Sequence, residues 1–178
     1  MAGSLIKVDE FTTSSAVASV TIGGGSSGSS GLNASIDSTY DVYMFSMSNV
    51  VCTSSQPMLV RFTVSGSPDT SANYDEAHKY LKSSSAFANL SGTNQTTIYL
   101  SVTTLGAGAN GIYYLFNFNN SSEYSFITNE TTNSNASGLF GLAGGGVNTV
   151  AQSCDGLYIF GSNSFNFTGN FTLYGLKK

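Results

Sequence analysis

The chain has 178 residues, and its 6 Lys and Arg set against 10 Asp and Glu leave a net charge of −4. Its bases are few and scattered at Lys7, Arg61, Lys79, Lys82, Lys177 and Lys178, so no basic stripe exists to neutralise phosphates. This argues against direct nucleic-acid binding and against polybasic attraction to a membrane. No segment approaches the roughly 20 consecutive apolar residues of a membrane-spanning helix, and 12 Phe with 10 Tyr argue against disorder.

At about 150 residues per domain the length predicts one domain with a core of its own. Charged residues make up 9% where about 25% is ordinary. Polarity comes instead from 30 Ser, 18 Thr and 16 Asn.

In chain order, residues 1–12 read as an N-terminal arm, and 13–178 as one β-sandwich domain. Lys7, Asp9 and Glu10 fall where a signal peptide needs apolar residues, so export is not expected, and Ala2 is incompatible with myristoylation. Residues 16–22 read as a strand, and the Gly/Ser run at 23–31 as a flexible loop. Segment 40–51 is the next strand. The clearest one is 58–65, where Met58, Val60, Phe62 and Val64 alternate with Leu59, Arg61, Thr63 and Ser65. Segment 74–82 fits helical and strand periods alike and is read as a strand. Segments 96–103, 111–118, 124–128, 156–161 and 169–176 are rich in β-branched and aromatic residues. Segment 139–147 holds too many glycines for a helix and reads as a loop or irregular strand. Turn residues at 65–73, 106–110, 119–122, 133–138 and 162–166 separate these elements. Eight or nine short strands without crossover helices predict an all-β, antiparallel β-sandwich, jelly-roll-like, with an up-and-down barrel as the alternative.

The chemical motifs are weak. Gly106, Gly108 and Gly111 match G-x-G-x-x-G, but the alternating residues after them predict a strand where a dinucleotide site needs a helix N-terminus; a hairpin loop is the expectation. Gly24, Ser26 and Gly28 match G-x-S-x-G without the strand and helix of a nucleophile elbow. Any Ser-His or Cys-His scheme must use the single histidine, His78, with Ser26 or Cys52. Glu76 and His78 would share a strand face, yet two ligands fall short of a zinc site; with Asp69, Asp75 and Lys79 nearby, a solvated loop edge or an interprotomer contact is the expectation. Asp37 and Asp41 faintly resemble a calcium loop but lack its central Gly and distal Glu. Glu123 and Glu130 offer no local glycosidase pair.

Cys52 and Cys154 could close one bridge of about 100 residues, worth about 4–5 kcal/mol, or remain two buried thiols; the second is expected. Nine Asn-x-Ser/Thr sequons, Asn94 and Asn119 among them, reflect composition rather than glycosylation. Tyr113, Tyr114, Tyr124 and Tyr158 suit either a sugar-stacking platform or a core. No catalytic, cofactor-binding or metal-binding residue is assigned, and no cofactor is expected.

A sandwich exposes edge strands, which monomers blunt with Lys, Pro or inward charges. Pro57 and Pro68 are the only prolines, and 83–176 holds no Lys or Arg. An aromatic-rich, ion-poor surface matches an interface, so an assembly of several copies is expected.

Four blocks, SAVASVTI at 15–22, IDSTYDVYM at 36–44, LFNFNNSSEYSFIT at 115–128 and FTLYGLKK at 171–178, resemble a group of structural proteins of marine tailed bacteriophages, including phages of cyanobacteria. The resemblance spans nearly the whole length and departs at 23–31, where a shorter connection is expected. It implies a non-enzymatic, multicopy virion protein, assembled in the host cytoplasm, decorating the capsid or built into the tail or fibre apparatus. Its partners would be itself, with a trimer among the expected forms, and other virion proteins. A carbohydrate-binding module for host attachment is the alternative.

Overall fold

A computed structural model describes residues 4–23, 31–32, 34–103, 105–135 and 138–177. Strands are numbered in chain order. In β5 (Pro57–Val64) the alternation read from the sequence holds from Met58 to Phe62, with Met58, Val60 and Phe62 buried and Leu59 and Arg61 partly exposed, and it breaks at the strand end, where Thr63 is buried and Val64 partly exposed. The same period recurs in most of the long strands and gives each an inward and an outward face, which forces a second layer over the inward one.

The larger layer has eight strands in the order β1 (Ser4–Thr12), β14 (Phe167–Lys177), β4 (Val42–Cys52), β10 (Ala109–Phe116), β11 (Ser125–Asn135), β12 (Gly138–Asn148), β7 (Tyr74–Lys82) and β8 (Ala88–Gln95). The smaller runs β3 (Gly31–Leu32), β2 (Ser19–Gly23), β13 (Gly156–Gly161), β5 and β6 (Ser67–Pro68), and β9 (Ile98–Val102) also pairs β5. Pairing is antiparallel except between β2 and β3. The chain ends nest: β1 pairs β14 in the large sheet and β2 pairs β13 in the small one, while β7 and β12 pair back in the large sheet. This alternation between layers is the jelly-roll-like feature of the sandwich. The meander β10–β11–β12 then widens the large sheet beyond the small one.

The core lies between the layers. Phe45 stacks on Tyr113 at 5.3 Å and lies parallel to Phe171 at 6.3 Å, and Phe62 meets Phe118 at 4.7 Å and Tyr74 at 5.5 Å. Each such ring removed from water contributes about 1.5–3 kcal/mol.

Three segments differ from the expectations. Residues 1–12, expected as an arm, form an edge strand from Ser4 onward, because Val8 and Phe11 pack on the core while the backbone pairs with β14. Segment 139–147, expected as a loop or irregular strand, lies within the fully paired β12, hydrogen-bonded to β11 and β7 along its length. Its glycines lower strand propensity, but they leave room for neighbours: a Cβ on Gly146 would lie 2.7 Å from Ile98 Cδ1. Segment 88–95, with its Asn, Ser and Gly, gave no strand signal and forms β8. Segment 74–82 is a strand, as read. The Gly/Ser loop expected at 23–31 lies mostly outside the described residues, at 24–30.

The Gly146 contact predicts that Gly146→Ala lowers stability by about 1–3 kcal/mol, the usual cost of overpacking. Ile98→Ala in the same chain should restore part of that loss. Urea unfolding of both single variants and the double variant measures the coupling, and additive losses would contradict it.

Candidate functional site

Strand register converts the outward face of the large sheet into rows. One row runs Leu5, Leu176, Val42, Phe116, Phe126 and Val147 across six strands. Beside it lie Lys7, Tyr174, Met44, Tyr114, Thr128, Gly145 and Ala77. The next row, Thr172, Ser46, Ile112, Glu130, Ala143 and Lys79, is mixed. The face therefore grades from apolar at one end of the strands to polar at the other. Leu5, Ile112, Tyr114, Phe126 and Leu176 are each 39–48% exposed. Its charges are sparse, and two of them, Lys7 and Glu10, pair at 3.0 Å.

Glycines on β12 cut a groove of about 670 Å³ into this face, walled by Phe126 and Thr128 on one side and by Asp75, Ala77, Ser91 and Thr93 on the other. The opposite face of the molecule carries a smaller aromatic group. There Tyr158 and Phe160 lie 5.3 Å apart, and the Arg61 guanidinium sits 4.9 Å from the Phe160 ring.

The ionisable patch on β7 splits by strand parity. Asp75 and Lys79 point outward, whereas Glu76 and His78 point inward and are buried, so the expected solvated edge is corrected. His78 Nε2 lies 3.0 Å from Glu76 Oε2, and that oxygen also accepts the Tyr99 N–H at 2.7 Å. The Tyr113 hydroxyl donates to the Leu100 carbonyl at 3.1 Å, and the Asn133 amide donates to the Val102 carbonyl. Side chains of the large sheet thus satisfy the backbone of β9, an edge strand of the small sheet. His78 Nδ1 and both amide atoms of Asn129 have no partner among the described protein atoms. They flank Gly144 in one register row, a setting in which ordered water satisfies buried polar groups.

The other sequence candidates are not brought together. Cys52 on β4 and His78 on β7 are four strand spacings apart, about 19 Å at ~4.8 Å each. Both cysteines are buried and unbonded; burial raises both thiols, Cys154 to about 11, far from a reactive thiolate. Ser26 falls outside the described residues. The glycine turn before β10 is not a hairpin: it carries the chain from β9 in the small sheet to β10 in the large one. Asp37 Oδ1 accepts the Thr39 N–H at 2.8 Å and the Tyr43 hydroxyl at 2.9 Å, which makes it a turn anchor. Glu123 binds Asn120 in the turn before β11, and Glu130 stands on the outward face. Tyr113 is fully buried and cannot be a stacking platform. Among the described residues no three His, Cys, Asp or Glu side chains gather as a metal site, and no helix is long and apolar enough to cross a membrane. The rows of the outward face were missed in the sequence because their members come from seven strands spread along the chain; only the register aligns them.

Replacing Glu76 with Leu should cost about 2–6 kcal/mol, about 1–3 for each group left without its partner, Tyr99 N–H and His78 Nε2. Asp75→Asn on the other side of the same strand keeps an acceptor for the Asn94 N–H and should change stability by less than about 0.5 kcal/mol; thermal unfolding separates the two. A second expectation concerns acid. Burial acts to raise the Asp69 carboxyl, but hydrogen bonds from Ser71, Gln152 and Asn148 outweigh it and hold the value below 3.8. Its contribution is therefore present above pH 3.8 and fades as pH falls through the lowered value. The stability gap between the native chain and Asp69→Asn should narrow below that pH in urea titrations, and a gap independent of pH would contradict the assignment.

Compared with protein-family models, curated proteins and solved structures, the chain matches none.

Proposed function

We propose that this chain is a non-enzymatic structural protein of a tailed-phage particle, present in many copies and docked on other particle proteins through the outward face of its large sheet. The observation that supports this is the apolar row from Leu5 to Val147, continued by Tyr174, Met44 and Tyr114. A contiguous patch of this kind, rimmed by polar residues, is the usual mark of an interaction site. Its content of Tyr, Phe and Met, with few Lys or Glu, is that of an interface core. The phage assignment draws on the resemblance of the four blocks. Three of those blocks supply much of this face: Val42 and Met44 from 36–44, Phe116 and Phe126 from 115–128, Tyr174 and Leu176 from 171–178.

A second reading, binding of host-surface glycans, is favoured by one observation, the Tyr158, Phe160 and Arg61 group on the small sheet. Aromatic faces beside a guanidinium suit sugar rings and their hydroxyls. Glycan-array binding lost in Tyr158→Ala would support it.

The test is incorporation. Purified particles should contain the chain by mass spectrometry, with hundreds of copies for a head decoration and a handful for a tail part. Tyr114→Lys with Phe126→Lys should reduce incorporation at least about tenfold, the effect of removing a buried aromatic anchor. Absence from particles, or incorporation of the variant at the native level, would refute the proposal.

A further inference from the structure

On β7 the inward-facing positions are Tyr74, Glu76, His78, Tyr80 and Lys82. The first three are buried, and Glu76 and His78 pair with each other at 3.0 Å. Lys82 is the exception. It is half-buried on the same face, and among the described residues no carboxylate lies within ion-pair distance of its Nζ. Glu76, the acid on that face of the strand, is about 20 Å away at ~3.3 Å per residue and is already taken by His78 and the Tyr99 N–H.

Aromatic rings flank this ammonium. Lys82 Nζ lies 5.5 Å from the centre of the Phe140 ring, its direct partner across the ladder, and 5.8 Å from that of Tyr80. The two rings meet edge to face at 5.4 Å. With them, a cleft of about 220 Å³ is walled by Tyr99 and Val102 of β9 and by Gln56 of the loop before β5. Burial first, then Tyr99 and Glu76, raise the Tyr80 hydroxyl above 10.0, so it stays neutral and supplies no counter-charge.

We propose that this cleft binds a small organic carboxylate with an apolar body about one ring in size, the carboxylate on the Lys82 ammonium and the body against the rings. Charge fixes the first half of that description. One ammonium balances one carboxylate, whereas a phosphate dianion would carry a second charge into walls that hold no further cation. Size and lining fix the second half. Sites for drug-sized molecules run from about 300 to 1,000 Å³, so a cleft of about 220 Å³ takes a smaller one. Walls of Phe, Tyr and Val suit a hydrocarbon ring better than a sugar's hydroxyls. The same group occurs in a free acid and at the end of a polypeptide whose last residue is apolar. The site is separate from the docking face, because Tyr80, Lys82 and Phe140 stand on the inner side of the large sheet.

Phenylacetate titrated into the full chain at neutral pH should shift the backbone amide NMR signals of Lys82, Phe140 and Tyr99, with a dissociation constant of about 1 mM or below. Phenylacetamide, the same shape without the charge, should bind at least about tenfold more weakly, the worth of a charge-assisted hydrogen bond. Lys82→Met keeps an unbranched stem on the rings and should weaken phenylacetate to the same extent, while Lys79→Met, on the outer side of the strand, should not. The amide comparison uses the native chain and so does not depend on how the variant folds. Glucuronate tests the apolar body and should bind more weakly than phenylacetate. N-acetylphenylalanine mimics the polypeptide end: tighter binding than phenylacetate assigns that source, and otherwise the free acid is the ligand. No saturable shift with phenylacetate, equal affinity for the amide, affinity unchanged in a folded Lys82→Met, tighter binding of glucuronate, or shifts confined to other strands would each overturn the proposal. None of these results depends on whether the chain is found in particles.

Discussion

The structure depends on how the two sheets are tied where their sizes differ. The large sheet overhangs the small one, and at the overhang the small sheet ends in β9 with backbone groups that no further strand can take. Glu76, Tyr113 and Asn133, rising from the inner face of the large sheet, take Tyr99 N–H, Leu100 C=O and Val102 C=O. Nearby, the buried Tyr74 hydroxyl accepts the Phe62 N–H of β5 at 3.1 Å and donates to the Asp69 carbonyl at 3.2 Å. Apolar packing is indifferent to a small slide of one sheet over the other. Hydrogen bonds made in a low dielectric are not, because each one lost leaves an expensive orphan.

The single histidine and its carboxylate neighbour are structural members of the seam, and both thiols are shut in the core. On the outside, the described residues present an apolar face graded along the strands and an aromatic group on the opposite face.

The ion-poor composition also has a structural reading. Among the described residues, the positive-φ positions outside glycine are Asn49, Ser65, Asn94, Asn117, Asn119, Asn163 and Ser164. Asn tolerates the left-handed region better than other side chains and bonds to its own turn backbone. Asn94 and Asn119 are also sequon positions, the first in β8 beside its register shift and the second in a turn, both in the left-handed region that Asn tolerates. Asp37, Asp69 and Asp155 likewise spend their carboxylates on nearby backbone N–H groups. Glu10, Asp37, Asp41, Glu123 and Glu130 remain exposed, and hydroxyls and amides supply the rest of the polarity.

Alternation of the Met58–Phe62 kind, with turn residues between such runs, determined by itself that the chain is all-β, because a strand's side-chain period is local, whereas the choice of a two-sheet sandwich over a closed barrel was made by the strand pairing. Parity likewise told that Glu76 and His78 share a face. Parity could not tell which face: burial of that pair was decided by β9 lying across it, a contact between segments more than twenty residues apart. β8 and β12 escaped the sequence because Gly and Asn carry no strand preference, and their neighbours' ladders supplied the order instead. The apolar row from Leu5 to Val147 exists only in the tertiary structure, since register, which no single strand contains, aligns residues from both ends of the chain and its middle.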